Sequence, residues 1–416
     1  MTPGMILAMA WRNLWRQRRR TLLTLASIAF GGFMAVLMTA MQDRSFADFI
    51  DTAAKLGAGH VTLQHPEYQD RPTLTNTVTG TDVLRSAAEG DERVVRVVDR
   101  ASGQTMVTTA SDSFGAFFVA YDPALETAET FEYTDGLIEG ELFTGADSDG
   151  IILGRILARN LGAELGDKVV YTMTDRTGEI VTSMERVRGI VSSGAPSVDA
   201  ALVLLPIGTL RSVVGYDRAE TTQVAVFLDD GRKSQAAAER LRGQVPSEVA
   251  VLTWDEIQPE IRAFVAMKIG GGRVFEIIIG VLVAAGIFNT MFMSVMERTR
   301  EFGIMMAIGY APRQLFALVM AESSLLAAMG LTASIAITAW PYYALSSKGL
   351  DMSEVYAQAG QVEISGVGFD STLHIGIFPE NAIAIGVAIV VATIAAGIWP
   401  AFKAGRVDPV ASINLV

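Results

Sequence analysis

The sequence predicts an α-helical membrane protein with four transmembrane helices and a large mixed α/β extracytoplasmic domain inserted between the first and second helices. Half of the 416 residues are hydrophobic, yet 19% are charged, so one part of the chain suits lipid and another suits water. The charges are unevenly placed. Residues 42–273 carry 35 Asp and Glu against 22 Lys and Arg, whereas residues 1–20 contain five Arg and no acid. The net charge of −12 argues against nucleic acid as a partner.

The N-terminal part of the chain is expected to begin in the cytoplasm and then cross the membrane. Residues 1–20 have the pattern of an amphipathic helix resting at the inner interface, with Leu7, Trp11 and Leu14 on one side. Residues 21–41 carry no charge and are just long enough to span the hydrocarbon core. The preceding arginines favour a cytoplasmic N-terminus. A cleaved signal peptide is the alternative, but the apolar run is too long and no A-x-A type site ends it.

Residues 42–272 are predicted to form the extracytoplasmic domain, because their apolar runs are short. Runs rich in β-branched residues predict strands at 60–64, 94–98, 116–120, 168–172, 186–191, 201–205 and 223–228, and the pattern predicts helices at 233–242 and 254–267. Only a short turn near Asp175 separates the fourth strand from the fifth. The size of the domain permits two subdomains.

The second span is predicted at residues 273–295, as the continuation of a stalk that leaves the external domain. The triplet Gly270, Gly271 and Gly272 is expected to interrupt this helix, either as a hinge or as a plain loop, since each glycine costs a helix roughly 1 kcal/mol. Residues 296–314 then form a cytoplasmic loop.

The third span is predicted at residues 315–343, ended by Pro341 and by the aromatic pair Tyr342 and Tyr343 at the outer interface. It contains Glu322, an intramembrane carboxylate that should be paired or face another helix. An outer loop at 344–381, a fourth span at 382–402 and a cytoplasmic tail at 403–416 complete the expected order.

The cytoplasmic loop between the second and third spans has a distinctive charged sequence. Read as a helix, it places Glu297 and Glu301 four residues apart on one side. An apolar flank on the same helix comprises Phe302, Ile304, Met305 and Ile308. Such a segment can lie under the bilayer and present charge to a soluble partner. The simpler interpretation is a positive-inside loop with no partner.

Three stretches resemble the bacterial FtsX-like permease family, the MacB and Lol type of ABC transporter. Residues 297–309, ERTREFGIMMAIG, are similar to its coupling loop, whose pattern is close to ERxxExGxxxAxGA. The matching residues are Glu297, Arg298, Glu301, Gly303, Ala307 and Gly309, and Arg313 follows them. The tail resembles the family ending near PAxxAxRxxPxxAL through Arg406, Asp408 and Pro409, and the N-terminal stretch around residues 10–32 is the third.

The resemblance implies a type VII permease subunit in the bacterial inner membrane, with both termini cytoplasmic and the large domain periplasmic. It implies a second permease chain, identical or related, and two copies of an ABC ATPase docked on the coupling loop. The sequence has no G-x-x-x-x-G-K-[ST] motif, so we expect ATP and Mg on the partner ATPase and no cofactor on this chain. With no cysteine and three scattered histidines, neither a catalytic nor a metal site is expected.

Residues 59–74 resemble the start of the external domain in LolE-type permeases, which implies a lipoprotein or lipid cargo. The expected work is extraction of lipoproteins from the inner membrane, in contact with membrane lipids, for sorting to the outer membrane. Two alternatives remain. One is an FtsX-like signalling permease that regulates a cell-envelope enzyme, and the other is an efflux permease for a hydrophobic or peptide substrate.

Overall fold

The computed structural model describes residues 2–353, 363–364, 367–368 and 372–407. Its helices are α1 Pro3–Arg16, α2 Arg18–Leu56, α3 Thr81–Glu89, α4 Arg155–Leu161, α5 Pro196–Asp199, α6 Ile207–Val214, α7 Ser234–Arg242, α8 Trp254–Ile257, α9 Pro259–Glu297, α10 Thr299–Ala307, α11 Pro312–Lys348 and α12 Pro379–Ala404. Its strands are β1 Val61–Gln64, β2 Val78–Thr79, β3 Val94–Thr108, β4 Ser113–Tyr121, β5 Leu137–Gly140, β6 Ile151–Gly154, β7 Lys168–Thr174, β8 Ile180–Val191, β9 Leu202–Pro206, β10 Glu220–Thr221, β11 Gln223–Leu228, β12 Ala250–Thr253, β13 Leu350–Asp351, β14 Glu363–Ile364, β15 Val367–Gly368 and β16 Thr372–Leu373.

The chain divides into two compact units. The membrane unit comprises Met1–Ser45, Ala266–Leu350 and Thr372–Val416, and the α/β unit comprises Phe46–Val265 and Asp351–Ser371. Four helices, α2, α9, α11 and α12, are long and apolar enough to cross a membrane.

Glycines allow the membrane helices to pack closely. A Cβ added at Gly330 would collide with Ile28 of α2, and one added at Gly397 would collide with Ser323 of α11. Lipid tails are as apolar as the side chains, so burying apolar side chains between helices stabilises their association little in a membrane. Close van der Waals packing of the helix backbones is therefore a main source of attraction between membrane helices.

Two helix boundaries differ from the sequence-based expectation. The predicted helix over residues 1–20 ends at Arg16, because Gln17 leaves the helical conformation at φ −113° and ψ 57°, and Arg18 begins α2. Pro341 does not end a helix as expected, since it lies inside α11, which continues to Lys348. The bound of the third span at residue 343 stays a prediction. A proline is tolerated in a membrane helix where neighbouring groups satisfy the freed carbonyl.

The glycine triplet does not interrupt its helix, so that expectation is wrong. The helix α9 runs without a break from Pro259 to Glu297, and the break lies earlier, at Gln258, which separates it from α8. A Cβ at Gly272 would collide with the Gln42 side chain, whereas Gly270 and Gly271 each face open space. Packing therefore explains one glycine of the three, and the hinge role of the other two stays a prediction.

The hinge can be tested by hydrogen exchange. We expect the amides of residues 268–274 to exchange faster than those further along α9, because each glycine costs the helix about 1 kcal/mol. The double substitution Gly270→Ala/Gly271→Ala should slow that exchange about thirtyfold, since about 2 kcal/mol is regained and both sites have room for a methyl group. Equal exchange in the wild type and the double variant would exclude a flexible point here. Gly272→Ala, which must displace Gln42, is the matched control.

The α/β unit is built on a mixed sheet in the order β12-β1-β11-β3-β4-β9-β6-β8-β5, and β7 pairs with both β3 and β8. These pairings join β3, β4, β9, β6, β8 and β7 into a ring. The ring encloses one apolar core, which includes Phe118, Leu153, Val169 and Leu205. A second core lies between β1, β3 and β11 and the helices α3 and α7. The long strand β3 belongs to both parts, so it links them.

All seven strands predicted from sequence are present in this unit, and five of them start within one residue of the predicted position. The other two start earlier than predicted, β4 at Ser113 and β8 at Ile180, and β3 and β7 extend further at their ends. The short turn between β7 and β8 is confirmed as well. Asp175 accepts hydrogen bonds from the backbone N–H groups of Thr177 and Glu179, which closes the turn within residues 175–179.

Candidate functional site: the coupling loop

The coupling loop, residues 296–314, is a short helix held between two turns. The long helix α9 ends at Glu297, Arg298 leaves the helical conformation at φ −101° and ψ 10°, and α10 follows. Gly309 then takes a φ of +100°, a conformation that side chains other than glycine rarely adopt. At the start of α11 the Gln314 side chain accepts a hydrogen bond from the Ala311 N–H. The glycine in the sequence pattern is therefore needed to turn the chain back into the membrane.

The two acids of the loop form ion pairs with arginines of the same unit. Glu301 lies 3.0 Å from Arg298 and 2.6 Å from Arg16 of α1. Glu297 accepts two hydrogen bonds from Arg20, at 2.7 and 2.8 Å. Partial burial by itself would raise the pKa of the Glu301 carboxyl, but the hydrogen bonds from Arg298 and Arg16 outweigh it and hold that pKa below its usual value. Glu301 is therefore a charged, paired group.

Arg298 is the centre of this charge network. Its Nε atom donates to Glu301, its Nη1 atom donates to Glu322 of α11 at 3.0 Å, and its guanidinium lies 5.1 Å from the ring centre of Phe302. Burial alone would lower the pKa of Arg298, but the charges of Glu322 and Glu301 more than reverse this and raise it. The residue stays charged and joins the loop to the third span.

Glu322 is paired, as a carboxylate inside a span should be. It is 4% exposed and accepts hydrogen bonds from Asn13 of α1 at 2.7 Å and from Arg298. The sequence pointed to a partner but could not name either residue, because Asn13 lies 309 positions away.

The apolar residues of α10 divide between two faces. Phe302 is fully buried and Gly303 is buried beside it, whereas Ile304 is 47% exposed and Ile308 is 72% exposed. The other exposed positions of the loop are Glu297, Arg300, Ala307, Gly309, Pro312 and Arg313. The apolar residues expected to form one flank therefore lie on two surfaces, one buried and one exposed. In the sequence, Arg300 precedes the exposed apolar residues and Arg313 follows them.

Of the three residues predicted in the tail, the structure describes Arg406, which follows α12. The Arg406 guanidinium lies 4.1 Å from the ring centre of Phe402. Asp408 and Pro409 lie outside the described residues. Within the described ranges, His, Asp and Glu form no group of three or more that could hold a metal ion.

Comparison with protein families decides what kind of protein this is. The FtsX-like permease C-terminal model matches residues 273–409, which contain the coupling loop, and the MacB-like periplasmic core domain model matches residues 21–244, more than half of the chain. The chain belongs to the MacB-like family of FtsX-like permeases. It is accordingly a multi-pass membrane permease component with a MacB-like periplasmic domain.

Individual relatives of this MacB-like permease are distant but extend over nearly all of it. The pyoverdine export ATP-binding/permease protein PvdT of Pseudomonas entomophila is 25% identical over 97% of the chain and 59% of its own length. The macrolide export ATP-binding/permease protein MacB of Rhodospirillum rubrum is 24% identical over 99% of the chain and 60% of its own length. The chain thus spans about three fifths of the length of these curated relatives.

Among solved structures, the periplasmic region of MacB from Actinobacillus actinomycetemcomitans matches 52% of the chain and 98% of its own length. It has 15% identity and a TM-score of 0.35, which is too low to add to the family assignment.

Proposed function

We propose that this chain is the permease subunit of an ABC transporter in the bacterial inner membrane. ATP and Mg would be bound by two copies of an ATP-binding subunit, and a second permease chain would complete the assembly. ATP hydrolysis would move the coupling loop, and the periplasmic domains would rearrange to act on cargo. The observation that carries this proposal is the outward apolar face of α10, formed by Ile304, Ala307 and Ile308.

This face suits a protein partner because the charges beside it are already paired. Glu297 and Glu301 are held by arginines of the same unit, so they help to shape the loop. Exposed apolar side chains with arginines at the rim are the usual composition of a protein interface. The loop would therefore bind its partner mainly through isoleucine, with Arg300 and Arg313 as polar rim.

The ion pairs also support the orientation. Arg20 at the start of α2 contacts Glu297 at the end of α9, so these two helix ends lie at one face of the membrane unit. The five arginines of residues 1–20 favour the cytoplasm for that face. The coupling loop would then be within reach of a cytoplasmic ATP-binding subunit.

For the cargo, we favour export of a hydrophobic or peptide molecule, because PvdT and MacB are named as exporters of pyoverdine and macrolides. Lipoprotein extraction is the second candidate and rests on the resemblance of residues 59–74 to LolE-type permeases. That stretch includes β1, a fully buried strand between β11 and β12. Its sequence is therefore constrained by the core as well as by any cargo.

Topology is the necessary condition for this function, and single cysteines can test it in this cysteine-free chain. In intact spheroplasts, we expect an impermeant thiol reagent to label Ser111→Cys in the α/β unit and to leave Arg300→Cys on α10 unlabelled. Both positions are exposed, so both should react after the membrane is permeabilised. Labelling of Arg300→Cys in intact spheroplasts would place α10 outside and rule out an ATP-driven role.

A further inference from the structure

Three acids on three different elements each meet a residue from the N-terminal end of the chain. Glu297 ends α9, Glu301 lies on α10 and Glu322 lies on α11; their N-terminal partners are Arg20, Arg16 and Asn13. Asn13 and Arg16 are three residues apart and therefore share one side of α1. The polar side of α1 is thus directed at the coupling loop and the third span.

The ion pairs of this network differ in strength because they differ in burial. Arg16 and Glu301 are 68% and 36% exposed at their side chains, so water screens much of their attraction. Arg298 and Glu322 are only 12% and 5% exposed, and a buried charge that loses its partner is strongly disfavoured. Asn13 donates to the same Glu322 oxygen that Arg298 contacts. The buried carboxylate of Glu322 is therefore the common point of α1, the coupling loop and α11.

We propose that Asn13, Arg298 and Glu322 form a clamp that makes α1, α10 and the inner end of α11 move as one body. All three are positioning residues. If the coupling loop receives the motion of an ATP-binding subunit, a step that rests on the proposed function, the clamp passes that motion through α1 to the first span as well as to the second and third. In this arrangement α1 passes the motion of the coupling loop to the first span, in addition to anchoring the chain at the membrane.

The competing explanation is that the bilayer alone holds α1. Its exposed apolar side chains, including Leu7, Trp11 and Trp15, suit an interfacial helix. A helix held only in that way keeps its position whatever stands at residue 322, whereas a clamped helix does not.

The test measures the distance between α1 and α10 in the full chain without any ATP-binding subunit, so that it is independent of the proposed function. Spin labels at Arg12→Cys and Ile308→Cys, both exposed positions, are measured by pulsed electron paramagnetic resonance in nanodiscs of phosphatidylcholine and phosphatidylglycerol. The wild type should give one narrow distance distribution. Glu322→Gln should raise the share of molecules outside that distance about tenfold, because Arg298 loses its buried partner.

Two further variants separate a clamp from general loss of structure. Asn13→Leu leaves the Arg298–Glu322 pair intact, so it should broaden the α1–α10 distance while a label pair on α10 and α11 stays narrow. Adding Asn13→Asp to Glu322→Gln returns a carboxylate to the same cleft and should restore the narrow distribution, since both positions line it with Arg298. Arg300→Gln, which removes an exposed charge from α10, is the control and should change nothing.

An unchanged α1–α10 distribution in Glu322→Gln and Asn13→Leu would overturn the clamp and leave the bilayer as the support of α1. Failure of the exchange variant to restore the distribution, with Glu322→Gln broadened, would show that Glu322 acts only through overall stability and would also reject the proposal.

Discussion

Substitution of Glu126 by leucine should lower the free energy of unfolding of the α/β unit by about 3–5 kcal/mol, because it leaves Arg100 as a buried charge without its carboxylate. Both side chains are almost fully buried, at 1% exposure for Arg100 and 0% for Glu126. Arg100 donates from Nε to one Glu126 oxygen at 2.7 Å and from Nη2 to the other at 3.2 Å. This two-pronged geometry is the strongest form of ion pair.

Arg100 also donates hydrogen bonds to three backbone carbonyls. Its Nη2 atom donates to Thr130 O at 2.6 Å, and its Nη1 atom donates to the carbonyls of Lys55 and Gly57, at the end of α2. The double variant Arg100→Met/Glu126→Leu removes both charges, but these carbonyls then lose the guanidinium as their hydrogen-bond donor. Each buried carbonyl left without a donor lowers the free energy of unfolding by about 1–3 kcal/mol. Because three carbonyls lose their donor, we expect the double variant to regain little or none of the lost stability.

The measurement is pulse proteolysis of the full chain in increasing urea, followed by cleavage within β3. Asp229→Ala is the matched control, because its ion pair with Arg93 is 3.8 Å long with both side chains over 40% exposed, and its loss should cost well under about 1 kcal/mol. A loss below about 1 kcal/mol for Glu126→Leu would show that the buried pair is not a main support of this unit.

Local patterns predicted seven strands of the α/β unit but missed β2, β5, β6, β10 and β12. Strand starts such as Lys168 and Gln223 follow from short β-branched runs. The closing of β3, β4, β9, β6, β8 and β7 into a ring could not be predicted, because it depends on pairings between strands far apart in sequence.

The errors in the membrane unit have a shared cause. Glycine and proline were expected to end helices at Gly270–Gly272 and at Pro341, as they often do in water. In a membrane an unpaired backbone group is so costly that helices continue through them. Conversely, the break at Gln17 interrupts a run of good helix formers, and nothing in the local pattern indicates it.

The side-chain partners of the coupling loop could not be predicted from the local sequence either. The charges of Glu297, Arg298 and Glu301 were recognised from sequence, and a charged surface for a partner was the natural interpretation. In the fold these charges pair with Arg20, Glu322 and Arg16, all supplied by other elements. The contact of Glu301 with an ATP-binding subunit stays a prediction, and the exposed isoleucines now offer a second one.

Ile308→Asp should weaken binding of the ATP-binding subunit at least about 30-fold, whereas Glu301→Lys should weaken it less. Ile308, which directly follows α10, is more exposed than Ile304. A central apolar anchor typically contributes about 2 kcal/mol or more to binding, and about 1.4 kcal/mol corresponds to a factor of ten in affinity. A carboxylate at this position must also lose its water on binding.

The affinity is measured with the purified ATP-binding subunit, identified by its P-loop, on nanodiscs that hold the chain. Ile138→Asp, at an exposed isoleucine of the α/β unit, is the matched control and should bind like the wild type. The reverse order, with Glu301→Lys abolishing binding and Ile308→Asp tolerated, would mean that the partner recognises the charged side of the loop and would reject the apolar docking face.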